Sequence, residues 1–233
     1  MQAVILAAGR GTRMGVLTDN IPKPLLEVAG KTLLEHKFDA LPEEVDEVVL
    51  VVGYLGGKIQ ERFGGSYNGK RILYVEQEVL DGTMGALSRV KGILADRFLV
   101  MMGDDLYTSD DIMRGIAMPD WVMLVEETAQ MSAGGRIIVD DTGIIVNIEE
   151  GDHKGQAGLA NTGLFVLDTR IFQYPMVPKT AGSDEFGLPQ TALAASITAD
   201  IPFLAIKSTF WIQITDPYDL VRADAAINAR DRK

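Results

Sequence analysis

An apolar run, Ala3 to Leu6, passes straight into Leu6-Ala7-Ala8-Gly9-Arg10-Gly11-Thr12-Arg13-Met14-Gly15, a stretch of small residues in which backbone N–H groups can approach an anion closely. Such a loop can cradle phosphate. Its glycines run G-x-G-x-x-x-G, which is not the dinucleotide fingerprint, and Val16 stands where a Walker loop needs Lys followed by Ser or Thr. Farther on, Pro22 and Pro24 stiffen the backbone on either side of Lys23. In an acidic chain, Arg13 and Lys23 beside one glycine loop make a local positive pocket, suited to charge building up on a transferring phosphoryl group. A lysine merely solvated in a loop is the plainer alternative. A second apolar run, Phe98 to Met102, ends in Gly103-Asp104-Asp105, an acidic pair expected at the same sheet edge as the glycine loop. A carboxylate there is a hard oxygen donor of the kind Mg2+ shares with water and substrate phosphates.

These groups need a frame, and the apolar periodicity supplies one. Ala3 to Leu6, Val48 to Val52, Ile72 to Val75, Phe98 to Met102 and Val122 to Val125 have the length of buried strands. Between them, Thr32 to Leu41, Lys58 to Phe63, Thr83 to Lys91 and Ser109 to Ala117 carry the spacing of helices with one apolar face. The alternation predicts an α/β fold with a largely parallel sheet covered on both sides. After about residue 130 the rhythm changes. Arg136 to Val139 and Ile144 to Ile148 flank Asp140-Asp141-Thr142-Gly143 as a β-hairpin and open a second, smaller lobe. Leu164 to Leu167 reads as a strand, Leu188 to Ile197 as a helix, Ile201 to Ile206 as an edge strand led by Pro202, and Pro217 to Arg230 as a closing helix.

Composition narrows the chemistry further. The chain has 233 residues, of which 47% are hydrophobic, so it can bury a core, and its length suits one domain. It has no cysteine, which excludes disulfides, thiolate nucleophiles and Cys-built zinc sites, and its two histidines, His36 and His153, lie far apart. Any metal falls to oxygen ligands. A net charge of -11 works against a nucleic-acid surface, and neither Met1 to Ala8 nor the longest aliphatic run, Val48 to Val52, has the make-up of a signal peptide or membrane span. A soluble cytoplasmic protein is expected, with no nucleic-acid or membrane partner; assembly as a homo-oligomer stays open.

The loop from Leu6 to Met14, taken with Pro22-Lys23-Pro24, resembles the signature of the sugar-1-phosphate nucleotidylyltransferases, or nucleotide-sugar pyrophosphorylases. The likeness continues through Gly53-Tyr54-Leu55, Phe63-Gly64, Gln77, Gly82-Thr83, Gly103-Asp104, Asn161-Thr162-Gly163 and the region of Trp211. It implies a Rossmann-like three-layer α/β/α nucleotidyltransferase fold with a mixed, mainly parallel central sheet and a small β-rich sugar-binding lobe. The chain is then one domain, with residues 1–130 mainly nucleotide-binding and 131–233 mainly acceptor-binding. The implied reaction is in-line attack by a sugar-1-phosphate oxygen on the α-phosphorus of a nucleoside triphosphate, with pyrophosphate leaving and Mg2+ screening the phosphates. Carried over by position, Leu6, Ala8, Gly9, Gly11 and Thr12 would wrap the nucleotide, Arg13 would hold the leaving pyrophosphate, and Lys23 would bridge the α-phosphate and the incoming sugar phosphate. Gln77 and Gly82, with Thr83 beside them, would meet the edge of a pyrimidine, favouring UTP, dTTP or CTP; an amide that both donates and accepts cannot choose among them alone.

The metal would fall to Asp104 and to the position two residues after Trp211. The resembling enzymes carry Asp or Asn there, and this chain has Gln213, whose carbonyl can coordinate Mg2+ without contributing charge. Gly135, Glu150, Asn161 and Thr162 fall where those enzymes hold sugar hydroxyls. The family often has Lys straight after that Glu, but Gly151 stands here, leaving a sugar-phosphate lysine to Lys154 or to another residue. Glu149 is an alternative to Glu150, and a solvated charge run from Glu149 to Lys154 is the plain reading. Two other functions stay open: a cytidylyltransferase for a non-sugar phosphate such as phosphocholine or inositol phosphate, and a non-catalytic nucleotide-sugar-binding regulatory subunit. A phosphocholine site would want an aromatic cage, and no aromatics cluster near the hairpin. The length leaves little room past the catalytic lobe, so no β-helix is expected at the C-terminus.

Overall fold

The computed structural model describes residues 1–230. Eight strands form one mixed, mainly parallel sheet around β1 (Gln2–Ala7), whose run of buried aliphatic residues suits a strand covered on both faces. On one side of β1 lie β4 (Glu47–Val52), β6 (Lys70–Glu76) and the short β5 (Ser66–Tyr67). On the other lie β7 (Arg97–Met102), β10 (Ile145–Asp168), β9 (Trp121–Val139) and the edge strand β11 (Phe203–Lys207). The pairs β1–β4, β1–β7, β4–β6 and β9–β11 are parallel, whereas β10 runs antiparallel to both its neighbours.

Alternate residues of each strand face opposite ways, and each side builds its own core. Val4, Val51, Phe98 and Phe165 pack with Met84 and Leu87 of α3 (Gly82–Ser88) and Leu188 and Ala192 of α5 (Leu188–Ala199). Ile5, Leu50, Leu99 and Val166 pack on the other face with Phe38 of α1 (Leu33–Ala40), Ile59 of α2 (Gly56–Phe63) and Ile112 of α4 (Ser109–Ala117). The result is a three-layer α/β/α fold. A third, smaller core seats α6 (Pro217–Arg230) through Ala223 against Ile214, Leu33 and the β2–β3 hairpin (Glu27–Val28, Lys31–Thr32).

The expected strands and helices are present, with the helix from Thr83 ending at Ser88, three residues early. The break near residue 130 is not a boundary in the chain path. β9 runs unbroken from Trp121 to Val139, and the hairpin's second arm and the Leu164–Leu167 strand are one bent element, β10. Leu159 pairs with both Glu127 and Ile137, so the hairpin folds back beside the strand that carries it and extends the main sheet.

A small two-stranded sheet, β8 (Asp105–Tyr107) with β12 (Trp211–Gln213), was not legible in the periodicity. The start of β12 is held by Asp111 of α4, which is fully buried. Its carboxylate accepts from the Thr209 N–H, the Thr209 hydroxyl and the Phe210 N–H, and pairs with Arg114. Burial works to raise its pKa, but these hydrogen bonds outweigh it and hold the group below the usual aspartate value of 3.8. A folded-state pKa below the unfolded one gives stability that is present above the unfolded value and lost as pH falls through the folded one. Asp111→Ala is therefore expected to cost about 3 kcal/mol in urea unfolding at neutral pH, leaving buried donors unpaired. The gap should narrow below about pH 4; a gap independent of pH would mean that the ionised carboxylate is not what anchors β12.

Candidate active site

The parallel strands bring their C-terminal ends to one edge of the sheet, and the antiparallel β10 brings Asn161 to Gly163 there from the opposite direction. A cleft of about 620 Å3 opens along that edge, large enough for a nucleotide. All sixteen residues singled out in the sequence line it: Leu6, Ala8, Gly9, Gly11, Thr12, Arg13, Lys23, Gln77, Gly82, Thr83, Asp104, Gly135, Glu150, Asn161, Thr162 and Gln213.

The glycine loop leaves β1 and turns at Gly11, whose φ of 67° lies in the left-handed region. A Cβ at this position would stand 3.0 Å from Cβ of Lys23 and 3.1 Å from its Cδ, so a glycine here also lets the lysine stem lie against the loop. Lys23 itself begins a short 3-10 turn after Pro22 and is only 6% exposed. Its Nζ donates to Asp104 Oδ2 at 2.5 Å. Arg13 is exposed and lines the same cleft, so the two cations predicted to share a pocket do so.

Asp104 follows β7 through Gly103, whose N–H donates to Leu6 O at 2.8 Å and ties the acidic turn to the glycine loop. Its side chain is about two-fifths exposed (39%), and Oδ1 has no protein partner among the described residues. β12 sets Gln213 opposite Asp105, and the Ile214 N–H donates to Asp104 O at 3.3 Å. One open carboxylate oxygen beside a neutral amide suits Mg2+, which keeps several waters and takes its remaining ligands from phosphates.

Beneath this point lies a buried polar group that the sequence did not signal. Lys37 of α1 donates to Asp105 O and sits 5.5 Å from the centre of the Tyr107 ring, while the Tyr107 hydroxyl donates to Thr162 O at 2.7 Å. Burial drives the Lys37 ammonium down to about 8 and holds the Asp105 carboxyl well above the usual range. These contacts tie α1 and β10 to the turn that carries Asp104.

At the end of the cleft beside β6, Gln77 extends that strand through its N–H to Val52 O at 2.8 Å, and its side-chain amide donates to Asp81 Oδ1 at 2.9 Å. Gly82 has a φ of 94°, and a Cβ there would stand 2.6 Å from Phe186 N, so the chain at 186 can pack on it only because no side chain intervenes. The Thr83 hydroxyl accepts from the Leu188 N–H at 2.9 Å and pins α5 to α3.

In the acceptor half, Glu150 rather than Glu149 turns into the cleft; Glu149 is exposed and lies 3.9 Å from Arg136. Gln190 of α5 donates to Glu150 Oε1 at 2.8 Å. Asn161 lines the pocket, its Oδ1 accepting from the Gly163 N–H at 2.9 Å, while the Thr162 hydroxyl donates away from it, to Leu124 O at 2.7 Å. Lys154 is exposed and does not line the cleft. Besides Lys23, the lysine that does is Lys179, on the segment between β10 and α5, which also contributes Glu185 and Gly187. That segment lacks periodicity, and only its position before an apolar helix could have pointed to it.

Among the described residues, no helix is long and apolar enough to cross a membrane. The chain resembles "UTP--glucose-1-phosphate uridylyltransferase AglF" of Haloferax volcanii at 34% identity over 232 residues, 96% of this chain and 95% of that one. It is 29% identical over 225 residues to "Bifunctional protein GlmU" of Methanocaldococcus jannaschii, covering 96% of this chain but 53% of that one; it spans about half the length of the GlmU relatives it matches. Among solved structures, a "Putative Glucose-1-Phosphate Thymidylyltransferase" from Bacillus anthracis superposes with a TM-score of 0.84 at 20% identity, over 97% of this chain and 94% of that one. HddC from Yersinia pseudotuberculosis superposes with 0.73 at 24%, over 97% and 99%. These two carry the fold alone. The family described as "Nucleotidyl transferase" matches residues 2–229, so the chain belongs to the nucleotidyl transferase family.

Proposed function

We propose that this protein joins a nucleoside triphosphate to a sugar-1-phosphate and releases pyrophosphate. The observation that carries the reading is the convergence on one cleft of a left-handed glycine turn, Arg13 and the Lys23–Asp104 pair, with Glu150 and Asn161 at its far end. The backbone of Gly9 to Gly11 wraps the triphosphate, Arg13 takes the leaving pyrophosphate, and Lys23 stands between the α-phosphate and the incoming phosphate oxygen. Bound Mg2+, held by Asp104 and Gln213, would screen the phosphate charge. No group on the protein needs to form a covalent bond; alignment and fixed charge supply the rate.

Glu150, held by Gln190, and Asn161 offer the hydrogen-bonding partners that vicinal hydroxyls want, and Lys179 supplies the cation that Gly151 does not. Among the described residues, the only aromatic side chain lining the cleft is Phe165, which is fully buried, so nothing there forms a cage for a quaternary ammonium. A pyrimidine triphosphate is the preferred donor. Pyrophosphate release across a panel of triphosphates crossed with sugar-1-phosphates tests the whole reading, and binding without turnover would instead identify a regulatory subunit.

Gln213 gives a narrower test. Its amide oxygen brings no charge to a site where the resembling enzymes carry Asp or Asn, so Gln213→Asp is expected to lower the Mg2+ concentration for half-maximal turnover by about tenfold. An unchanged magnesium titration would mean that this side chain never meets the ion.

A further inference from the structure

The base-reading amide is wired at one end only. Gln77 Nε2 donates to Asp81 Oδ1 at 2.9 Å and lies 3.3 Å from Gly82 O. Both neighbours are pure acceptors, because a carboxylate and a carbonyl have no proton to give, so the amide can present only its NH2 to them. The Asp81 carboxylate is held in place by Arg89, whose Nη2 donates to its other oxygen at 2.9 Å. It also needs the space that Gly85 leaves: a Cβ at 85, one turn along α3, would collide with the Asp81 carboxylate. The free end of Gln77 in the cleft is therefore Oε1, an acceptor.

We propose that Asp81 is a specificity-determining positioning residue that fixes the hydrogen-bond polarity of Gln77, so that the site selects bases with a ring N–H at the middle of the Watson–Crick edge. This rests on the nucleotidyl-transfer reading only in placing a base against Gln77. Uracil and thymine carry N3–H at that point, and guanine carries N1–H. Cytosine and adenine present a ring-nitrogen lone pair instead, which a fixed carbonyl oxygen repels. An unclamped amide would flip and take either pattern, so the choice that Gln77 alone cannot make is made one residue before Gly82. The donor is then a uridine or thymidine triphosphate, and CTP is excluded from the pyrimidine set.

The test is kcat/KM for UTP, dTTP, GTP, CTP and ATP in the intact protein and in two variants. Asp81→Asn can itself donate, which permits the flip; Gly85→Ala pushes the carboxylate aside and removes no polar group. The native protein is expected to favour UTP over CTP by about a hundredfold, as sites built around a single hydrogen-bond polarity do. In each folded variant the ratio should fall by about tenfold or more, with part of the change coming from a gain on CTP. A merely structural role for Asp81 would lower UTP and CTP use together and leave the ratio unchanged. That result, or native turnover of CTP at the rate of UTP, overturns the inference. Preference for GTP over ATP supports it. Calorimetric titration with UTP and with CTP in magnesium separates the two levels: selective UTP binding without turnover upholds the clamp while the transferase reading falls.

Discussion

Lys23→Ala is expected to lower kcat by about a thousandfold while leaving the melting temperature within a few degrees of the native value. Removing one preorganised charge from a developing oxyanion costs about two to three orders of magnitude in comparable sites, and a lysine proposed to meet both reacting phosphates stands at the upper end. The fold should survive because the lysine's partner is not stranded. Asp104 is 39% exposed and regains water when the ammonium leaves. The KM for the triphosphate should change far less than kcat, since on the proposed reading Arg13 and the loop backbone would still bind its phosphates. Steady-state kinetics beside thermal unfolding decide the matter. A variant that retains more than a tenth of native turnover would show that Lys23 serves the Asp104 pair and not the reaction.

The glycine loop, Lys23, Asp104 and their common sheet edge were legible because each sits directly after a short aliphatic run or between prolines, where local sequence fixes backbone path. The acceptor side was harder. Which of Glu149 and Glu150 faces inward is a matter of strand register, decided by the pairing of Glu150 with Gly135 across β9 and β10. Lys179 reaches the cleft from a segment with no apolar period and so gave no signal, whereas Gln190 lies on α5, where the apolar spacing predicts the helix but not which of its polar residues faces the cleft. The Asp81 clamp and the Lys37–Asp105 contact depend on side chains meeting across separate elements, which no spacing rule encodes. Lys37 in particular is 1% exposed although it stands on a helix among other charged residues. The continuity of β9 past residue 130 was not legible because its pairing with β10 is broken by register shifts, and an irregular strand loses its alternation of buried and exposed positions.

On the proposed reading Asp104 carries two roles that one substitution can separate. As partner of Lys23 it orients the ammonium; as the open carboxylate at the cleft floor it is the charged ligand available to Mg2+. Asp104→Asn keeps the shape and an oxygen for the lysine but removes the charge. If the carboxylate holds the metal, kcat should fall by about a hundredfold or more, and the Mg2+ concentration for half-maximal rate should rise by at least about tenfold, because the remaining protein donor, Gln213, is neutral. If the carboxylate only steers Lys23, kcat falls while the magnesium titration keeps its midpoint. The double variant with Lys23→Ala gives an independent check. Two groups that act on the same phosphates as a unit lose most of their effect when the first is removed, so the pair should cost little more than Lys23→Ala alone. Fully additive losses would mean that the ammonium and the carboxylate serve separate steps, and the hydrogen bond between them would then be a feature of the ligand-free cleft.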